Sequence, residues 1–319
     1  MNSVIFKGKK YTTSKIFQRY GLNQITLKHL DLNGLGIDRI DNIQGLTSIS
    51  NLESLDLRGN NISEIINLEY LSQLKKLYIG DQIKNIQGLE NLNNLTHLTL
   101  LGSIEKINNL NHLQNLRHLN LSSNKISRIK NLDKLVNLET LDLAKNNITK
   151  IDNLGNLKNL RRLNLSKNFI IEISGLESLE NLTHLSLDIN QINEIENLDC
   201  LKNLTHLSLS ENLITEIKNL DSLTKLTDLS LFKNQIGKIS GLNKLYNLMY
   251  LNLGCNLITS IKDFNCPSRY LTQISLPFNK ISTVDGMASS YGCRVNLDGN
   301  PIPPEELNRI KKNFLNELI

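Results

Sequence analysis

Histidines are the residues here whose type and spacing invite chemistry first. Five of the six, His29, His97, His118, His184 and His206, sit two residues after a leucine or isoleucine-flanked repeat start, at the third position of a recurring unit. His97 and His118 come from consecutive units, as do His184 and His206, so each pair is expected on neighbouring strands at about the 4.8 Å strand spacing. Two imidazoles at that distance are half of a zinc site. No carboxylate or thiolate in the sequence completes either set, so we expect no metal and no cofactor, and a role in tuning surface charge near pH ~6–7. The four cysteines, Cys200, Cys255, Cys266 and Cys293, lack CxxC spacing. They read as free thiols of an intracellular, cytoplasmic protein rather than a disulfide-capped secreted one. Serines and aspartates recur beside the histidines without a pocket to exclude water, and no glycine-rich phosphate loop occurs. The chain is not expected to be an enzyme.

What must position these residues is a repeat. Leu138–Asn159 is one complete unit, with Leu138, Leu141, Leu143, Asn146, Ile148, Ile151, Leu154 and Leu157 at positions 1, 4, 6, 9, 11, 14, 17 and 20. The two-residue step from Leu141 to Leu143 is a strand signature, while the three-residue steps that follow suit a 3₁₀-like return. One unit cannot bury its own aliphatic ridge, but stacked copies can. Twelve starts, Leu27, Leu52, Leu74, Leu95, Leu116, Leu138, Leu160, Leu182, Leu204, Leu226, Leu248 and Leu271, recur mostly at intervals of 22, and a partial unit ends at Ile302. The expected fold is therefore α/β: a curved right-handed solenoid with a parallel concave sheet, short 3₁₀ or irregular convex segments and a C-terminal capping helix.

Position 9 is asparagine in ten units, where a buried amide can satisfy backbone groups of its own and neighbouring turns. The units starting at Leu74 and Leu95 are one residue short and lack it, so the chain should change its path locally there. The residue before position 17 is Asn42, Asn67, Gly88, Asn109, Asn131, Asn153, Gly175, Asn197, Asn219, Gly241, Asp263 or Gly286, a restriction that predicts a left-handed turn rather than a helix cap. Residues 1–26 read as an N-terminal cap, with a hairpin around Lys7-Gly8-Lys9-Lys10 and an amphipathic turn at Ile16, Phe17 and Tyr20. The competing reading is a basic docking arm. Residues 27–302 are the repeats. Residues 303–319 open with Pro303-Pro304-Glu305-Glu306 and carry a ridge of Leu307, Ile310, Phe314 and Leu318, a capping helix.

Composition narrows the function. Net charge is +5 with both signs mixed along the chain, which argues against nucleic acid. No apolar run reaches the ~20 residues of a membrane span, and the N-terminus lacks a signal-peptide core. The pattern LxxLxLxxNxIxxIxNLxxLxN resembles the leucine-rich-repeat class typified by the nuclear regulatory subunit of protein phosphatase 1, and is similar to the repeat domain of bacterial internalins. That resemblance implies a monomeric protein-interaction scaffold or regulatory subunit, of phosphatase-regulator type, gripping a globular partner in its concave face. An internalin-like surface adhesin and a small-GTPase-binding module are the alternatives. Against a background of small polar inner-face residues, Phe232, Tyr250 and Phe278 stand out as a partner site, with Asp228, Lys233 and Asn252 as its polar rim. Tyr78, Leu101 and Arg58 form a second candidate patch.

Overall fold

A computed structural model describes residues 3–12, 28–262, 264–283 and 293–306. They fall into two compact units, Met1–Asn147 and Ile148–Ile319. The first begins with a hairpin of β1 (Ser3–Phe6) and β2 (Lys9–Thr12), tighter than the sequence implied: only Lys7 and Gly8 form its turn, both at positive φ (48° and 72°). Such a pair matches the natural twist of a hairpin. Val4 is fully buried, and Ile5 exchanges two 3.0 Å backbone hydrogen bonds with Gln44, so the hairpin docks on the outer side of the first repeat. The amphipathic turn expected at Ile16, Phe17 and Tyr20 lies outside the described residues, as does the ridge from Leu307 to Leu318; of the expected capping helix only residues 303–306 are described, and 304–306 are helical.

The rest of the first unit is a parallel sheet of β3 (His29–Asp31), β4 (Ser54–Ile62), β5 (Lys76–Ile83), β6 (His97–Gly102), β7 (His118–Asn120) and β8 (Thr140–Asp142). The second unit continues the pattern with β9 (Arg162–Asn164), β10 (His184–Ser186), β11 (His206–Ser208), β12 (Asp228–Ser230), β13 (Tyr250–Asn252), β14 (Gln273–Ser275) and β15 (Arg294–Asn296). The parallel pairings join equivalent positions, as in His184–His206–Asp228–Tyr250, except that β4–β5 and β5–β6 shift register beyond Leu57 and Ile79. Register is pinned because a one-residue slip would turn the buried Leu of each strand outward. In Leu138–Asn159 the residues at positions 1, 4, 6, 11, 14, 17 and 20 are all fully buried. Burial of each such side chain contributes about 1.5–3 kcal/mol.

The return path is 3₁₀ proper at Ile40–Asn42 and Leu46–Ser48 and elsewhere a succession of single turns, such as Leu71 N–H to Leu68 O and Leu74 N–H to Leu71 O, both 2.9 Å. The left-handed residue expected before it is present at Asn67, Gly88, Asn109, Asn131, Asn153, Gly175, Asn197, Asn219 and Gly241. The first repeat departs: Asn42 lies within a 3₁₀ turn and Gly45 takes the positive φ, because the extra triplet adds a turn. The choice between asparagine and glycine follows one carbonyl. Asn131, Asn197 and Asn219 each donate a 2.7 Å side-chain bond to the position-14 carbonyl of the preceding repeat. Where glycine stands, at residues 175 and 241, the preceding Ser174 and Ser240 hydroxyls reach the same carbonyl at 3.4 and 3.5 Å.

Position 9 forms the expected asparagine ladder. Asn146 donates to Leu121 O (2.9 Å) in the preceding repeat and to its own Leu143 O (3.0 Å), and accepts from Ile126 N–H (2.9 Å). In the two short repeats the backbone replaces it: β5 and β6 stay extended, with Ile83 paired to Gly102 and Ser103 N–H bonded to Ile83 O at 2.7 Å.

Candidate functional site

The strand face of the second unit carries the principal candidate residues, but it does not bring them together as one cluster. Phe232 lies four positions beyond Asp228, and Asp228 is in register with Tyr250. Tyr250 therefore sits at the opposite end of the strand from the phenylalanines, about 13 Å away along it at ~3.3 Å per residue. Spacing along the repeat axis by itself would bring the three rings close; the offset along the strands separates Tyr250 from the other two. Phe232 is half-buried because its ring lies over the next repeat: a Cβ built on Gly254 would fall 3.1 Å from Phe232 Cδ2 and 3.0 Å from the Pro277 ring. Phe278 uses Gly299 in the same way yet remains 64% exposed, and Tyr250 is 45% exposed.

The expected polar rim is already engaged within the chain. Lys233 Nζ pairs with Glu211 at 2.6 Å, and the Glu211 carboxylate holds that ammonium charged beyond its usual range. Asn252 Oδ1 accepts Gly254 N–H at 3.2 Å, and Asp228 accepts from the Thr227 hydroxyl at 2.6 Å. These bonds orient the rim. In the first unit, Arg58 pairs with Asp56 and lies 5.0 Å over the Tyr78 ring, while Leu101 and Arg58 flank Gly80, leaving a notch between them. Burial pushes the Tyr78 phenol upward against the opposing pull of Arg58.

The histidines pair as their register predicts. His97 and His118 stack at 4.2 Å between centroids, and His184 and His206 at 4.2 Å and 8°. The Thr183 hydroxyl donates its one proton to Arg161 O, so the 2.9 Å contact with His184 is an Nδ1–H donating to that oxygen; Thr205 fixes His206 likewise. Both Nε2 atoms then face outward as acceptors. The exception to that role is His206 in its protonated form, whose Nε2 lies 3.3 Å from Asp228 Oδ2 and then forms an ion pair. For His97 and His184, burial opposes the charged form. Burial, helped by the His118 charge, lowers His97 to about 4, and burial followed by the His206 charge lowers His184. Among the described residues, no three His, Cys, Asp or Glu side chains are grouped to hold a metal ion.

Two features of this face emerge only in the structure. Asp188 is a hub, accepting from Ser186 Oγ (3.0 Å), Ser208 Oγ (2.5 Å) and Ser210 N–H (2.7 Å); Ser166 bonds Ser186 at 2.6 Å and Ser210 bonds Ser230 at 2.8 Å. The serines that looked like inert background are thus a connected polar floor. The second is position 8, left-handed in Ser123, Lys145, Lys167, Ile189, Glu211, Lys233, Cys255 and Phe278. Gly34, Gly59 and Gly299 hold the same position and conformation, a glycine signal that these other residue types dilute. A β-branched residue such as Ile189 is strained there.

Comparison with known proteins places this geometry. A family model for leucine-rich repeats (two copies) matches residues 114–156, 158–201, 202–244 and 224–266, and a single-repeat model matches 51–72. An internalin (inlF) of Listeria monocytogenes is 30% identical with a TM-score of 0.80, covering 92% of this chain and 85% of that one. An internalin C2 of the same organism is 31% identical with a TM-score of 0.52, over 58% of this chain and 81% of that one. The Toll–Spatzle complex from Drosophila shares the fold at 21% identity and a TM-score of 0.69, over 85% of this chain and 41% of that one. No curated protein matches the chain.

Proposed function

The chain belongs to the leucine-rich-repeat family, and from that footing we propose that it is a non-catalytic binding module holding a globular protein partner against the strand face of its second unit. The observation that carries this reading is position 8. Ile189 and Phe278 are both apolar, both in the left-handed region (φ 55°), and 37% and 64% exposed. Glycine or asparagine would suit the backbone better at either place, and interfaces use such exposed apolar side chains as anchors. The engaged Lys233, Asp228 and Asn252 would give the surrounding polar rim. Affinity capture from the native lysate, with the parent chain beside the Phe278→Asn and Ile189→Asn variants, tests it. A partner retained by the parent and lost by both folded variants supports the site; equal recovery rejects it.

Of the two likenesses read in the sequence, the internalin one has the structural counterpart, at 30% identity along most of both chains. It favours a second reading in which the partner is met at a cell surface, as an internalin-like adhesin. We keep the intracellular reading first on the cysteines: Cys200, Cys255, Cys266 and Cys293 are all thiols, as a reducing compartment leaves them. A regulatory subunit of phosphatase type is one form this module could take, and nothing in the geometry selects it. Fractionation of the native cell, read with an antibody to the chain, separates the two locations.

A further inference from the structure

A second surface lies on the flank of the second unit, away from the strand face. After each position-9 asparagine the chain steps outward, and the position-10 amide bonds the preceding repeat: Phe169 N–H to Ile148 O, Gln191 to Ile170, Leu213 to Ile192 and Gln235 to Ile214, all 2.8 Å, and Leu257 to Ile236 at 2.9 Å. This is a parallel ladder with one rung per repeat. Its exposed side chains alternate. Phe169, Leu213 and Leu257 are apolar and 48%, 46% and 42% exposed, while the rungs between them carry Gln191 and Gln235. Ile171, 54% exposed, widens the stripe beside Phe169.

The first three rungs of this flank are acidic. Position 13 is Glu172, Glu194 and Glu216 in the three repeats that carry Phe169, Gln191 and Leu213, and Lys238 and Ser260 in the two that follow; Lys218 already sits against Glu194 at 3.0 Å. The chain as a whole is +5.

We propose that this flank docks a basic amphipathic helix lying along the ladder. Alternate rungs are about 9.6 Å apart, at ~4.8 Å per rung. Residues seven apart on an α-helix are about 10.5 Å apart. Three apolar side chains at heptad spacing therefore meet Phe169, Leu213 and Leu257 with a mismatch of about 2 Å over the whole run, within side-chain reach. Lysines or arginines beside that seam face Glu172, Glu194 and Glu216. This is recognition by helix in groove, and it is independent of the strand-face partner.

The test uses the full chain and a fluorescein-labelled synthetic helical peptide of three heptads, leucine at each seam position and lysine beside it, read by fluorescence anisotropy. The expected result is micromolar binding that weakens with salt, is lost when the peptide lysines become glutamates, and drops by about tenfold in Leu213→Ser. The Glu194→Lys, Glu216→Lys double variant should bind the lysine peptide as poorly, and Phe232→Ala, on the other face, should bind it normally. Absence of binding, equal binding of the lysine and glutamate peptides, or parent-like binding by a folded Leu213→Ser would overturn the proposal. So would self-association of the chain that Leu213→Ser abolishes, since that assigns the stripe to a second copy.

Discussion

The ring of Phe278 fills the space that a side chain at residue 299 would need: a Cβ built on Gly299 falls 2.5 Å from Phe278 Cδ1 and 2.7 Å from its Cε1. Residue 299 is also at φ 69°, where an L side chain is strained. Gly299→Ala should therefore cost about 1–3 kcal/mol and swing the ring off its platform. A urea melt with partner binding measured alongside should show both losses; an unchanged melt would mean the ring rests elsewhere.

Ile189 should show the opposite trade. Asparagine tolerates the left-handed conformation at φ 55°, so Ile189→Asn is expected to stabilise the fold by about 1 kcal/mol while weakening the strand-face interaction. A lower melting temperature for this variant would remove the argument that the isoleucine is kept for binding.

Asn146 is 4% exposed and makes bonds in two directions along the ladder. Asn146→Ala leaves the Leu121 and Leu143 carbonyls and the Ile126 amide short of partners, and should cost about 2–4 kcal/mol. Hydrogen exchange should localise the loss, with the Ile126 amide opening well before those of the strands.

Two glycines make a matched pair for the outer turn. At Gly88, φ is 73° and a Cβ would stand 2.0 Å from Ile65 O; at Gly155 the nearest atom is Ser178 Oγ at 3.8 Å. Gly88→Ala should destabilise by more than about 2 kcal/mol and Gly155→Ala should fall within ~0.5 kcal/mol of the parent. Thermal melts of the two side by side decide it.

The His97–His118 stack implies acid sensitivity. His97 has a folded-state value of about 4 against 6.5 for the free side chain, so between these limits the unfolded chain binds the extra proton. Stability from this residue is complete above pH 6.5 and is lost as pH falls toward 4, by on the order of 1 kcal/mol once solvent screening at a half-exposed ring is allowed for. His97→Gln should reduce the difference between denaturant midpoints at pH 7.5 and 4.5. An unchanged difference would show that other groups set the acid response.

Much of this architecture is written in residue types alone. A Leu–x–Leu step can only be a half-buried strand, and three-residue spacing after it can only be a tight return, so Leu138–Leu157 specify their own burial. Asn131 and Gly175 specify their own backbone, because few other residues accept a positive φ. These are local constraints repeated until they become a fold. What the tertiary structure decided is everything that depends on where neighbouring repeats place their side chains. Tyr250 and Phe232 look adjacent in a list of inner-face residues and are held at opposite ends of the strands. Asn252 and Lys233 look available and are already bonded. Ile189 looks ordinary until its conformation is imposed by the ladder of amides on either side, since a turn fixed by neighbouring backbone need not choose its own residue. The same holds for the histidines: a lone His97 would titrate near 6.5, and only the loss of water around it, helped by the charge of the His118 ring stacked on it, brings it to about 4.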